Sequence, residues 1–247
     1  MALKRPRRKT RKVRRRPQKG GADPLPKTYF IVTTSIIQNG NEVKREREYK
    51  QGIKALQDSL NEFPTLKANS KIIIVENNGQ RSTFLDGLGE DVVYTENNKN
   101  DENKGIKEIK DVLAVMDKYN INGDDMVVKL TGRYSILPNS PFMKTLAERP
   151  PTLAAIARVG WFDEQFGLPS IEAGDAVITG LIALKAKHVR EIFFANGAEP
   201  NIENNWYKRI AALPRSDVVV LQTLGLDMPV ADGPVRHARG GKRKNIV

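Results

Sequence analysis

The chain has 247 residues, 39% of them hydrophobic, which is enough for one sizeable core. It contains no cysteine, which excludes disulfides, thiolate nucleophiles and zinc–thiolate sites and fits a reducing compartment. No apolar run approaches the roughly 20 residues that a membrane-spanning helix needs, and no apolar segment follows the basic N-terminus, so it does not read as a secretory signal.

The net charge of +12 is unevenly placed. Residues 1–19 carry eleven Lys or Arg and no acid, and five more basic residues follow Asp232, again without an acid. The stretch between holds 25 basic residues against 29 acidic ones, so the body is mildly acidic and only its tails are basic. Residues 1–27 run from Lys4-Arg5-Pro6-Arg7-Arg8-Lys9 to Pro24 and Pro26. Like charges at that density repel one another and predict a disordered arm. Such an arm, through residues 1–19, suits non-specific nucleic acid, any acidic surface, or nuclear import. It has no aromatic residue to stack on bases, which speaks against sequence-specific readout.

Tyr29 to Ile37 is a β-branched run that reads as the first strand, ended by the turn signal Gln38-Asn39-Gly40-Asn41. Glu46 to Phe63 carries Tyr49, Ile53, Leu56 and Leu60 at helical spacing and stops at Pro64. Lys71 to Val75 reads as a second buried strand, Ser82 to Leu88 as a short helix and Asp91 to Tyr94 as a third strand. Asn103 to Tyr119 is the clearest helix, with Ile106, Ile109, Val112, Leu113 and Met116 forming one apolar stripe. Met126 to Val128 opens a central strand. Phe142 to Glu148 reads as helix, Leu153 to Ala157 as strand, Ala176 to Leu184 as strand, Ala186 to Phe194 as helix, Ile202 to Leu213 as helix, and Val218 to Leu221 as a last strand. Strand and helix alternate, so the expected class is α/β: one domain over residues 28–225 with a mostly parallel sheet and flanking helices, followed by a basic tail over residues 226–247.

Polar residues gather at the expected carboxyl ends of four strands: Thr33-Thr34-Ser35, Glu76-Asn77-Asn78, Thr95 to Asn98, and Lys129 to Tyr134. In an open α/β sheet those ends share one edge, where a ligand binds. In the last cluster, Lys129 and Arg133 beside Thr131, Gly132 and Tyr134 suit a phosphate: Arg forks onto its oxygens, Lys adds a point charge, and Gly permits close approach. The competing reading is an ordinary solvated strand end with Arg133 paired to a surface carboxylate. No Gly-x-Gly-x-x-Gly follows the first strand and no Gly-x-x-x-x-Gly-Lys-Ser/Thr occurs, so the dinucleotide fold and the phosphate loop of NTPases are not indicated. The two histidines, His188 and His237, form no metal or triad constellation.

Lys129-Leu130-Thr131-Gly132-Arg133-Tyr134, preceded by Asn103-Lys104-Gly105 and followed by Asp175 to Leu184, resembles a group of GT-A-type glycosyltransferase-like proteins found in bacterial surface-glycan enzymes and large DNA viruses. The resemblance implies a single Rossmann-like domain that transfers a sugar from a nucleotide-sugar donor to a glycan or protein acceptor. It places Thr33, Thr34 and Ser35 near the base and ribose, Glu76 and Asn77 near the nucleoside, and Asn103, Lys104 and Gly105 at a helix N-terminus that favours anions. Lys129 and Arg133 fall where such proteins carry an Asp-x-Asp metal motif. No Asp-x-Asp occurs here; a divalent metal held by other groups stays open, and the alternative is a cation in its place that neutralises the departing diphosphate. The candidates for a base that activates the acceptor are Asp163, Glu164, Asp175 and Glu203, the first two in an aromatic loop with Trp161. The implied location is intracellular, in host cytoplasm or a viral factory, or on a virion. The alternatives are a non-catalytic virion or nucleic-acid-associated protein that keeps the fold and binds through its basic arms, and an α/β nucleotide-binding protein of other chemistry.

Overall fold

The computed structural model describes residues 26–37, 41–99, 103–160, 171–192 and 202–229. The basic segments, residues 1–25 and 230–247, lie outside them, and so do Trp161, Asp163 and Glu164.

The β-branched runs become the centre of the sheet because each is apolar on both faces. Strands β1 (Thr28–Thr34), β2 (Ser70–Glu76), β3 (Asp91–Tyr94) and β4 (Met126–Thr131) are joined by helices α1 (Glu42–Asn61), α2 (Pro64–Ala68) and α3 (Lys104–Lys118). They lie in the order β3-β2-β1-β4 and all pair in parallel. The chain continues through β5 (Ser135–Ile136), α4 (Pro141–Ala147), β6 (Ala155–Ala157), β7 (Leu181–Lys185), α5 (Ala186–Val189), α6 (Ile202–Ala211), β8 (Val218–Val220) and β9 (Leu226–Asp227). Strands β7, β6 and β8 complete a seven-stranded sheet in the order β3-β2-β1-β4-β7-β6-β8. In it β7 is antiparallel to both neighbours, whereas β6 and β8 pair in parallel. The class is therefore α/β with a mostly parallel sheet.

Strand alternation divides the interior into two cores. Tyr29, Ile31 and Val127 join α3, α5 and α6 on one face of the sheet. Phe30, Val32, Val128 and Leu130 join α1, α2 and α4 on the other. All seven residues of β1 are buried, so its register against β2 and β4 fixes which strand ends meet at the carboxyl edge.

Several boundaries differ from the sequence expectation, each for a local reason. The run Ala176 to Leu184 is not one strand. A turn at Thr179 and Gly180 interrupts it, leaving Val177 in an isolated bridge to Val159 before β7 begins. Gly180 sits where an added Cβ would be 2.5 Å from the Tyr134 ring. The expected helix at Ala186 to Phe194 is only α5, with Phe193 and Phe194 outside the described residues. The segment Ser82 to Leu88 is a single 3₁₀ turn, Phe84–Gly87, capped by Thr83. Helix α1 begins four residues before its expected start, which brings Arg45 into its first turns. Near the ends of the described residues the backbone N–H of Lys27 donates to Asp125 at 2.9 Å, and the buried Leu226 lies in β9, paired with β5.

Candidate functional site

The carboxyl ends of β1, β2 and β4 meet the N-terminal turns of α1 and α3 around a cleft of about 130 Å³. Its floor is polar: Thr33, Thr34 and Ser35 from β1 and the loop after it, Asn77 after β2, Asn98 after β3, and Thr131 at the end of β4. Its walls carry Arg45 and Tyr49 from α1, Lys104, Lys107 and Glu108 from α3, and Arg133. The lining thus sets four cations against one carboxylate, on a body that is acidic overall.

The β1 loop is held in place rather than left loose. Arg45 donates to the Ser35 carbonyl at 2.6 Å, and the Tyr49 hydroxyl accepts from the Ser35 backbone N–H at 2.8 Å. Burial pushes the Tyr49 phenol up to about 12, so it stays protonated. Glu76 is fully buried and accepts from the Thr34 hydroxyl, the Ile36 backbone N–H and the Arg81 guanidinium, the last at 3.1 Å. Its carboxylate is consumed in fixing the loop, and it does not line the cleft. It therefore departs from the nucleoside-side position that the resemblance implies.

Lys129 departs from expectation in the same way. It is 3% exposed, and its ammonium donates to Glu108 at 2.5 Å, the Thr179 carbonyl at 2.8 Å and the Thr131 hydroxyl at 2.9 Å. An ammonium has three donors, and all three are taken. Lys129 does not line the cleft, whereas its partners Glu108 and Thr131 do. Burial alone would raise the Glu108 carboxyl, but the charges of Lys129 and Lys104 hold it below its ordinary value. Arg133 lines the cleft but is 7% exposed and pairs with Glu48 of α1 at 3.1 Å. It does pair with a carboxylate, as the competing reading held, but that carboxylate is buried.

Gly132 serves packing. A Cβ there would be 3.0 Å from the Tyr49 ring and 2.9 Å from Val32, while one on Gly52 would be 2.3 Å from the Gly132 carbonyl oxygen. The two glycines let α1 lie directly on the β4 turn. Tyr134 is partly buried behind that turn, its phenol raised by burial. Asn103 caps α3, its side chain accepting from the Gly105 N–H at 2.8 Å, so one of the helix N-terminal donors is already satisfied.

Of the candidate acceptor bases, the two among the described residues, Asp175 and Glu203, do not line the cleft. Asp175 is exposed and its backbone carbonyl accepts from Asn204. Glu203, at the start of α6, accepts from the Thr179 hydroxyl at 3.4 Å on the far side of Lys129. Asp163 and Glu164 lie outside the described residues.

Beside the cleft-lining Arg45, Lys107 and Glu108, a buried residue beneath the strand ends was also not singled out in the sequence. Asp111, in the third turn of α3, is fully buried and accepts from Thr95 at 2.6 Å, Asn97 at 2.7 Å and Asn77 at 3.1 Å. Burial raises its pKa to about 6, against the lowering pull of those three hydrogen bonds. The signal was available: Lys104, Lys107, Glu108 and Asp111 are spaced by three and four residues and form a polar stripe beside the apolar one.

Among the described residues, the cleft lining offers a poor donor set for a divalent metal. Calcium and magnesium need several carboxylate or carbonyl oxygens, whereas the lining is cationic and its carboxylate is committed to Lys129. Among the described residues no three His, Asp or Glu side chains are grouped to hold a metal ion. Among those residues, too, no helix is long and apolar enough to cross a membrane.

No protein-family model matches the chain, and no curated protein matches it. Among solved structures it is similar to a protein of Desulfovibrio desulfuricans G20 described as a nucleotide-diphospho-sugar transferase, at 14% identity over 80% of each chain with a TM-score of 0.42. It is also similar to a glycosyltransferase involved in the glycosylation of the major capsid of PBCV-1, at 11% identity over 79% of this chain and 81% of that one, again with a TM-score of 0.42.

Proposed function

We propose that the chain is a glycosyltransferase-like protein whose cleft binds the nucleoside diphosphate portion of a nucleotide sugar. The observation that carries this reading is the cleft itself: a polar pocket at the carboxyl edge of a parallel sheet, flanked by Arg45, Arg133, Lys104 and Lys107. That edge is where open α/β sheets bind ligands, and a diphosphate suits a lining in which cations outnumber carboxylates. The side chains of Thr33, Ser35 and Asn98 then face the nucleoside. The resemblance carried by Lys129 to Tyr134 supports the sugar-nucleotide class, with Lys129 itself buried and bonded to Glu108, Thr131 and the Thr179 carbonyl. Arg133, with Lys104 and Lys107, takes the role of neutralising the leaving diphosphate in transfer to a glycan or protein acceptor.

The test is a thermal-shift and calorimetry screen of the full chain with UDP, GDP and CMP and their sugars, without added metal. At least one raises the melting temperature. Lys107→Ala, which removes one cation bonded only to Asn98 among the described residues, weakens that binding roughly tenfold while leaving unliganded stability unchanged. If no nucleotide or nucleotide sugar stabilises the chain, the reading is wrong.

A further inference from the structure

Helix α3 sets Lys104 and Glu108 one turn apart on the wall of the cleft, with Lys107 beside them. Among the described residues Glu108 is the single carboxylate that lines it, against four cations. Its two oxygens are used differently. Oε2 accepts from the Lys129 ammonium at 2.5 Å, and that ammonium has its other donors on Thr131 and the Thr179 carbonyl. Lys129 is buried with every donor taken, so it anchors Glu108 at a fixed point. Oε1 accepts no hydrogen bond from any described residue. Its cation partner is Lys104 at 3.6 Å, beyond hydrogen-bond reach, and Lys104 is itself 66% exposed. Nor is Oε1 sealed: among the described residues the buried side-chain atoms without a partner lie elsewhere, and Glu108 keeps 15% of its side-chain surface. The carboxylate is thus held at one oxygen and open at the other, on the side where Lys104 lines the cleft.

A carboxylate in a cleft that attracts phosphate is a repulsive element, and repulsion of that kind sets specificity. An ionised carboxylate accepts and cannot donate. The group that meets Oε1 is therefore a donor, and a phosphate oxygen is turned away from it. We propose that Glu108 is a binding residue that accepts a sugar hydroxyl of the nucleotide sugar, holding the diphosphate out on the surrounding cations and selecting ligands that carry that hydroxyl. This deepens the nucleotide reading and rests on it. Both the ribose and the transferred sugar flank the diphosphate and carry hydroxyls, and either makes a charge-assisted hydrogen bond to a carboxylate. The charges of Lys129 and Lys104 keep the Glu108 carboxyl below its ordinary value. It therefore stays ionised as an acceptor but is a poor base for taking a proton, so its part is to orient and select.

The anchor also specifies what a substitution does. In Glu108→Gln the donor-only Lys129 keeps the amide oxygen, so the amide NH₂ turns toward the cleft. That group no longer repels phosphate and no longer accepts from a hydroxyl. Glu108→Asp keeps the charge beside Lys129 but is one methylene shorter, which withdraws the second oxygen from the cleft. The experiment measures binding to the full chain by calorimetry at pH 7.5, with melting curves to verify folding. The ligands are UDP and GDP, their 2′-deoxy and 3′-deoxy forms, UDP-glucose, GDP-mannose and inorganic pyrophosphate. If the ribose supplies the hydroxyl, wild type loses roughly tenfold when that hydroxyl is removed. If the transferred sugar supplies it, the deoxy forms bind like their parents and a nucleotide sugar binds roughly tenfold more tightly than its diphosphate. In Glu108→Gln either ratio falls to about twofold or less, while pyrophosphate binds more tightly than to wild type. Glu108→Asp loses the same ratio and decides the matter should the Gln variant not fold. A wild type indifferent to every hydroxyl overturns the proposal. So does a folded variant that weakens all ligands alike, pyrophosphate included, with the ratios unchanged, because Glu108 then only supports the fold. Failure of both UDP and GDP to bind wild type instead overturns the nucleotide reading on which it rests.

Discussion

Arg133 meets both of its sequence readings at once, since it lines the cleft and is also paired with Glu48. Both members are largely buried, so truncating one strands the other's charge. Arg133→Ala is therefore expected to destabilise the fold by about 3–5 kcal/mol, whatever it does to binding. Combining Glu48→Gln with Arg133→Met restores most of that loss, because neither side chain is then a buried uncompensated charge. Urea denaturation of the single and double variants checks this. Equal stability of Arg133→Ala and wild type would mean the pair is not desolvated. Gly52 carries a second residue-level expectation. In an exposed helix Gly→Ala stabilises by up to about 1 kcal/mol, but here the new methyl meets the Gly132 carbonyl at 2.3 Å and the Tyr134 carbonyl at 2.8 Å. Both obstacles are backbone, so the β4 turn or the helix must move, and Gly52→Ala is expected to lose roughly 1–3 kcal/mol in the same assay.

At the scale of elements, α3 does the most to build the site. One of its stripes, Ile109, Val112, Val115 and Met116, seats it on the sheet. The other brings Lys104, Lys107 and Glu108 to the cleft wall and Asp111 beneath the ends of β2 and β3. The helix itself was legible from its apolar period, as were the strands, because both faces of a central strand must be apolar. The strand-end clusters were legible too: Thr33, Thr34, Ser35, Asn77, Thr131 and Arg133 all reach one cleft. What was not legible is which polar residues face the cleft and which support it. Glu76 and Lys129 are indistinguishable from ligand-facing residues in sequence, since a buried network and a solvated site use the same side chains. Gly132 looked like room for a phosphate and is room for Tyr49 and α1. Arg45 was missed because the apolar period of α1 begins only at Tyr49, although the helix starts at Glu42.

Across the whole molecule, the placement of charge has a cost that stability should reveal. Asp111 is fully buried, and its folded pKa lies near 6 against an ordinary value of 3.8. Because the folded value is the higher one, protonated Asp111 favours the native state. That contribution is complete below about pH 4, shrinks as the pH rises through about 6, and is absent above it. A displacement of that size corresponds to about 3 kcal/mol. Exposed carboxylates such as Asp86 and Asp91, held low by hydrogen bonds to Thr83 and Lys71 respectively, act in the opposite direction. The raw pH profile therefore mixes both signs, and the informative quantity is the difference between wild type and Asp111→Asn, in which every other group cancels. Urea denaturation at pH 4, 5, 6 and 7 should show wild type losing about 2 kcal/mol relative to the variant across that range, with most of the change completed by about pH 6. A flat difference would mean that Asp111 titrates as it does in the unfolded chain. A falling one would mean that at neutral pH the fold carries an ionised, buried carboxylate at a net loss, held by Thr95, Asn97 and Asn77 beneath the strand ends that form the cleft.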